Sequence, residues 1–221
     1  MMRVAVWWAR PGQVTAAHEA MLDAVERGRR EALRQPADRD RFTAAAALLR
    51  LVIAGETGLT PQGVPVRRTC ERCGRPHGRP RIDGYDLHVS ISHSGERVGV
   101  AVAGAPVGVD VEQIRPVSLA DLAPHTLGPD EPAPDHAAFF TYWARKESAV
   151  KATGDGLSVP LAQVRVSRPD QPARLLAYPG RPELVATMHD LDAGAGYAAA
   201  LTVLTAEPAE VSEYDGGLLL G

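Results

Sequence analysis

Leu51-Val52-Ile53-Ala54-Gly55-Glu56-Thr57-Gly58-Leu59-Thr60-Pro61 is answered in the other half of the chain by Ala149-Val150-Lys151-Ala152-Thr153-Gly154-Asp155-Gly156-Leu157-Ser158-Val159-Pro160. In both, a helix-forming run stops at glycine and an acid, and Leu and Pro then lead toward strands. An echo of this kind predicts an α+β chain of two similar lobes related by a pseudo-two-fold. Each lobe is then a small antiparallel sheet with packed helices, and a cleft lies between them. The turn Gly104-Ala105-Pro106 divides them into a first lobe, 1–106, and a second, 107–221.

Working outward, Met1–Trp8 alternates as a strand, Val14–Arg34 reads as one polar, arginine-rich helix, and Asp38–Ala54 as a helix rich in Ala and Leu. After a Pro/Gly/Arg-rich loop through Pro80, Leu87, Val89 and Ile91 alternate with His88, Ser90 and Ser92. That strand begins a β-meander continued by Arg97–Ala103 and Val107–Glu112. Ile114–Pro134 reads as loop with one short helix, His136–Thr153 as a helix, and Ala162–Ser167 and Tyr197–Thr205 as strands. Gly216–Gly221 is expected to fray.

The composition narrows the function. Of 221 residues, 45% are hydrophobic and 23% charged, and the net charge of −3 argues against a generic nucleic-acid binder. No run approaches the length of a membrane span, and the amino terminus lacks the pattern of a signal peptide, so a cytoplasmic, reducing location is expected.

Asp110 and Glu112 stand two apart in Val107-Gly108-Val109-Asp110-Val111-Glu112. On a strand that spacing puts both carboxylates on one face and the valines on the other. Such a pair repels itself and calls for a cation. Glu147 and Lys151, four apart, share a helix face, with Trp143 one turn earlier. Three carboxylates on two elements suit Mg²⁺, a hard ion that keeps positions for water and phosphate. The chain's two lysines, Lys146 and Lys151, both lie in this helix while every other basic side chain except histidine is arginine. A compact ammonium on a flexible stem follows a moving phosphate oxygen better than a planar guanidinium. Ser92 and His93, at a strand end, bring hydroxyl, imidazole and turn amides to where a phosphate could meet them.

G-V-D-x-E followed by W-x-x-K-E-S-x-x-K resembles the signature of the 4′-phosphopantetheinyl transferases, in particular their monomeric, surfactin-synthetase-activating type. Gly78-Arg79-Pro80 stands in the place of that family's G-K-P, Val89–Gly95 in the place of its N-I-S-H-S-G, and Arg41 where it has an arginine contacting coenzyme A. The likeness spans roughly residues 38–165. It implies transfer of the 4′-phosphopantetheine arm of coenzyme A to a serine of an acyl or peptidyl carrier protein, with release of adenosine 3′,5′-bisphosphate. It also implies that Asp110, Glu112 and Glu147 hold Mg²⁺, that Glu147 takes the serine proton, and that Lys146 and Lys151 neutralise phosphate charge. Arg41, Arg79, Ser92 and His93 are then coenzyme A contacts. The interval from Asp110 to Lys146 holds thirty-five residues, short for the family, and Arg79 replaces a lysine. The register of Arg27, Arg29 and Arg30 is open.

Two other readings use the same residues differently. A Mg²⁺-dependent nucleotide hydrolase or phosphodiesterase would set water in place of the serine. A zinc-stabilised interaction module would rest on Cys70, Cys73 and His77, with His88 or His93 as a fourth ligand; without a second C-x-x-C the four-ligand set is incomplete. Finally, the resemblance puts carrier docking on Ile114 to Phe140, where Leu119, Leu122 and Leu127 are apolar and Arg115 could meet an acidic partner.

Overall fold

Patterned apolar residues make the elements, and glycine, proline and capping acids end them. The computed structural model describes residues 1–70, 73–76 and 78–221, Leu157 by its backbone alone. The chain runs β1 (Met2–Ala9), α1 (Ala16–Met21), α2 (Ala24–Ala32), α3 (Pro36–Thr57), β2 (Val66–Arg67), β3 (Arg81–Ile82), β4 (His88–Ser94), β5 (Arg97–Ala103) and β6 (Val107–Gln113). It continues as α4 (Leu119–Thr126), α5 (His136–Thr153), β7 (Arg165–Val166), β8 (Leu175–Ala177), β9 (Thr187–Asp190), β10 (Tyr197–Val203), β11 (Ala209–Asp215) and α6 (Gly217–Leu220). Among the described residues no helix is long and apolar enough to cross a membrane.

The two lobes are built alike. In the first, β1 pairs antiparallel with β5 and β5 with β4; in the second, β6 pairs antiparallel with β10 and β10 with β9. α3 and α5 both stop at a left-handed glycine, Gly58 (φ 73°) and Gly154 (φ 80°), a conformation that strains any side chain. A 3₁₀ turn follows each, Pro61–Gly63 and Leu161–Gln163, and then a two-residue strand, β2 or β7. α3 buries Leu48, Leu49, Val52 and Ile53 against Val89, Val98 and Val100, while α5 buries Phe140 and Ala144 against Ala198 and Ala200. Val4, Val6, Val107, Val109 and Leu201 form a separate core cluster spanning both sheets.

The likeness reaches single side chains. Arg50 in α3 is buried, with Nε donating to Glu26 Oε2 (2.7 Å) and Nη1 to Pro61 O (3.1 Å). Lys146 in α5 is buried too, with Nζ donating to Glu131 Oε2 and to Leu161 O (3.2 Å). Pro61 and Leu161 each open their 3₁₀ turn. Glu26 and Glu131 each accept the backbone N–H three residues earlier, from Asp23 (3.2 Å) and Gly128 (2.6 Å). A buried charge costs several kcal/mol unless paired and hydrogen-bonded, so each cation pins its helix to the segments before and after it.

Several expectations need correction. The polar helix 14–34 is two helices: Leu22 turns extended and buries its side chain, while Asp23 caps α2 by accepting Glu26 N–H (2.8 Å). β6 leaves the meander for the second sheet. In place of a backbone ladder, Ser90, Ser92 and Ser94 of β4 accept the N–H groups of Val109 (3.0 Å), Val111 (3.3 Å) and Gln113 (3.1 Å). The first sheet is larger than a small antiparallel one, with order β11-β1-β5-β4-β3-β2, and β1 and β11 are parallel. β11 therefore joins the sheet of the first lobe although it follows the whole of the second in sequence. Nor does the end of the chain fray: α6 buries Leu220 in the core under α3, and Gly216 N–H donates to Trp8 O (2.6 Å).

Candidate active site

β6 presents Gly108, Asp110 and Glu112 on one face and three buried valines on the other, as period-two alternation requires. The acidic face lies under α5, and Gly108 permits that approach. A Cβ placed on it would lie 2.0 Å from Ser148 O and 2.4 Å from Ala152 N. Glu147 and Lys151, one helical turn apart, thereby come down over the acids. A cleft of about 380 Å³ opens at this junction, lined by Asp110, Glu112, Trp143, Glu147 and Lys151 from the second lobe. The first lobe contributes Arg29, Phe42, Arg68, Ser92 and His93.

Lys151 Nζ donates to Asp110 Oδ1 (2.6 Å), Ser92 Oγ (2.9 Å) and Val109 O (3.2 Å), and Ser92 Oγ donates to Asp110 Oδ1 (2.9 Å). Every contact falls on one oxygen of Asp110. Its other oxygen, Oδ2, is buried and has no hydrogen-bond partner among the described residues. Ser94 Oγ donates to Glu112 Oε2 (2.9 Å). Burial, then the neighbouring Asp110, push the Glu112 carboxyl up to about 7. The same two causes, in the same order, raise Glu147. His93 is held below the usual imidazole range by its partial removal from water and by the charges of Lys151 and Arg41.

These shifts carry a stability cost whose sign is fixed. An acid whose folded pKa exceeds its unfolded value binds the extra proton in the folded state, so stability falls as pH rises from about 4.5 to 7. After allowance for water in the cleft we expect about 2 kcal/mol from Glu112. Glu112→Gln, measured in chelator at pH 8, should therefore melt roughly 4–8 °C above the parent, and the gain should vanish at pH 5. Equal melting temperatures at pH 8 would show that the carboxylate is not strained.

The first-lobe wall holds two arginines that repel each other. Burial, followed by Arg29, lowers Arg68 to about 10. Arg29 Nη1 and Arg68 Nε are buried donors without acceptors among the described residues, and Arg29 lies over the Phe42 ring at 5.4 Å. Two paired cations with spare donors make an anion site. Sequence reasoning left Arg29 without a register and missed Arg68, whose loop gives no periodic signal.

Of the other residues expected at the site, Arg41 stands at its margin, bound to Asp38 Oδ1 (2.6 Å) and reaching Gly95 O (3.4 Å). Two corrections follow. Lys146 does not face the cleft; it is the second lobe's counterpart of Arg50, held by Glu131, Thr126 O and Leu161 O. Arg79 donates instead to Ala152 O (2.9 Å) and Val107 O (3.0 Å), tying the loop before β3 to the end of α5 and the start of β6. Lys146→Arg should lower the melting temperature by roughly 2–8 °C through overpacking and leave the KM for coenzyme A, the substrate that the resemblance implies, within about twofold. A KM that rises with the melting temperature unchanged would return Lys146 to the cleft.

Gly74 N–H donates to Cys70 O (2.8 Å), while Glu71 and Arg72 of the C-x-x-C, and His77, lie outside the described residues. Among the described residues no three His, Cys, Asp or Glu side chains are gathered closely enough to hold a metal by themselves. Mg²⁺ does not need such a cage, since one or two carboxylates with water and substrate phosphate suffice. The orphaned, buried Oδ2 of Asp110, with two more carboxylates lining the same cleft, fits that donor set.

Residues 106–202 match the family model of the 4′-phosphopantetheinyl transferase superfamily. The chain is 32% identical over 164 residues to a 4′-phosphopantetheinyl transferase of Bacillus subtilis, covering 69% of this chain and 70% of that protein. It is 33% identical over 171 residues to the 4′-phosphopantetheinyl transferase HetI of Nostoc sp., covering 72% of this chain and 71% of the relative. A shorter match, 39% over 95 residues, links it to the transferase psf-1 of Bacillus pumilus, with 39% and 40% of the two chains covered.

Proposed function

The chain belongs to the 4′-phosphopantetheinyl transferase superfamily, and from that premise we propose how its cleft moves the phosphopantetheine arm of coenzyme A onto a serine of an acyl or peptidyl carrier protein. The observation that carries the reading is the one-sided solvation of Asp110: Lys151 and Ser92 hold Oδ1, leaving Oδ2 buried and unpaired over the cleft. Such an oxygen calls for a cation, and Mg²⁺ held by Asp110, Glu112 and Glu147 would neutralise the pyrophosphate of coenzyme A as charge develops.

The residues then divide the work. Arg29 and Arg68 offer unfilled donors to the anionic groups of coenzyme A, His93 lines the same space with the charge of Arg41 near it, and Lys151 reaches over the acid face with its flexible ammonium. Glu147, whose carboxylate is made more basic by burial and by Asp110, takes the proton of the carrier serine, directly or through a water. The serine Oγ forms a bond to the phosphorus bearing the pantetheine arm. The bond from that phosphorus to the bridging oxygen breaks, and adenosine 3′,5′-bisphosphate leaves with the electron pair. Positioning and charge neutralisation suffice for such a transfer.

For the carrier, Leu119, Leu122 and Leu127 are half-buried on Phe139 and Phe140 beside Trp143, which lines the cleft. The exposed remainder of this strip, with Arg115 at its rim, supports docking there. On the same reading the enzyme works as a monomer in the cytoplasm, with coenzyme A and carriers as partners rather than nucleic acid or membrane. The comparisons lend no support to the hydrolase or zinc-module readings. The test is incubation with coenzyme A, Mg²⁺ and apo-carriers of polyketide, nonribosomal-peptide and fatty-acid type, followed by intact mass. One phosphopantetheine added per carrier is expected; release of phosphopantetheine from coenzyme A alone would favour hydrolysis.

A further inference from the structure

The tip of the β4–β5 hairpin is held from the opposite lobe. Glu96 N–H donates to Tyr197 Oη at the start of β10 (2.9 Å). The Tyr197 ring lies under the Arg97 guanidinium, with Cζ 5.2 Å from the ring centroid, and Arg97 Nε donates to Ala193 O (2.6 Å). Gly95 takes φ 54°, and a Cβ there would come within 2.7 Å of Gln113 Oε1 and 2.8 Å of Tyr197 Oη. The tip is thus pressed onto two second-lobe side chains, neither of which lines the cleft.

Three cleft-side contacts start from this tip. His93 lines the cleft, Ser94 Oγ donates to Glu112 Oε2 (2.9 Å), and Gly95 O faces Arg41 Nη1 (3.4 Å). The serine contacts of β4 fix the body of the hairpin against the acids, and the contact with Tyr197 adds the last constraint, at the tip that carries His93. We infer that Tyr197 is a positioning residue: its hydroxyl clamps the hairpin tip to the second lobe and so tunes the grip of the cleft on the anionic end of coenzyme A. The inference rests on the transferase reading above, and it assigns Tyr197 no contact with substrate.

Tyr197→Phe tests it, since only Oη is lost and the ring stays beneath Arg97. Loss of one hydrogen bond in the clamp should weaken coenzyme A binding, measured by calorimetry without carrier, by about fivefold. In transfer assays kcat and the KM for carrier should stay within about twofold, and the melting temperature within about 2 °C. Hydrogen exchange should quicken at the Glu96 amide while the paired amides of β4 and β5 keep their protection. Coenzyme A affinity within twofold of the parent would overturn the inference, even with a faster Glu96 amide. So would a fall in melting temperature that weakens coenzyme A and carrier alike, which would mark a merely structural role. A parent that binds coenzyme A but modifies no carrier would sink the transferase reading instead, and the binding comparison would still decide for or against the clamp.

Discussion

Asp110→Asn should yield a folded protein whose transfer rate is at least about a thousandfold below the parent at saturating coenzyme A and Mg²⁺. The substitution is nearly isosteric, so Ser92 still has an oxygen to donate to and Val111 N–H still has Ser92. What disappears is the charge that anchors Lys151 and the unpaired oxygen facing the cleft. A thousandfold corresponds to about 4 kcal/mol, within what a metal and one fixed ammonium contribute to a phosphoryl transfer. The rate is read by intact mass of the carrier, and the fold by thermal melting. The metal-free Asn variant should melt within about 4 °C of the parent, because loss of the Lys151 ion pair is offset by relief of the repulsion between Asp110 and Glu112. Near-parental transfer in this variant would end the assignment of Asp110 to the metal.

Gly108→Ala should be the most damaging single methyl in the second lobe. The added carbon would fall 2.0 Å from Ser148 O and 2.9 Å from Lys151 Cβ, inside backbone and stem atoms that cannot swing aside. α5 must lift from β6 by an ångström or more. We expect a loss of about 3 kcal/mol, roughly 6–12 °C in melting temperature. Transfer should fall by about a hundredfold in the protein that remains folded, because Glu147 and Lys151 would move off the acids. Gly55→Ala is the matched control. It lies within α3 with nothing inside 4 Å of the added carbon, so it should leave activity alone and raise stability by up to about 1 kcal/mol. Similar melting temperatures for the two variants would show that α5 tolerates displacement.

Gly108 also shows what the sequence could and could not say. The period-two run around it announced a strand with two acids on one face, and the i, i+4 pair on α5 announced the helix that covers them; both are local patterns. That the glycine exists to let the two surfaces meet is a long-range fact with no local trace. The same limit explains Lys146. Its neighbours in the sequence, Arg145 and Glu147, look like a charged helix face, but 3.6-residue periodicity points Lys146 inward, where Glu131 from a distant loop receives it. Arg50 occupies the matching place on α3, since each cation stands eight residues before the left-handed glycine that ends its helix, Gly58 or Gly154; the sequence echo set Gly55 against Gly154 and so hid the equivalence. β11 was invisible for a different reason: Ala209–Asp215 is half polar, and its pairing is with the opposite end of the chain.

That pairing orders events during synthesis. β1 leaves the ribosome about two hundred residues before the strand that completes its second edge. β11 brings the covers with it: Tyr214 stacks on Trp7 at 4.5 Å between ring centroids, and Glu213 accepts the Trp8 indole N–H at 2.7 Å. Until then a nascent chain holds two adjacent tryptophans beside an open strand edge, the kind of edge that recruits other chains. Exposure to misassembly is therefore concentrated in the interval before β11 arrives.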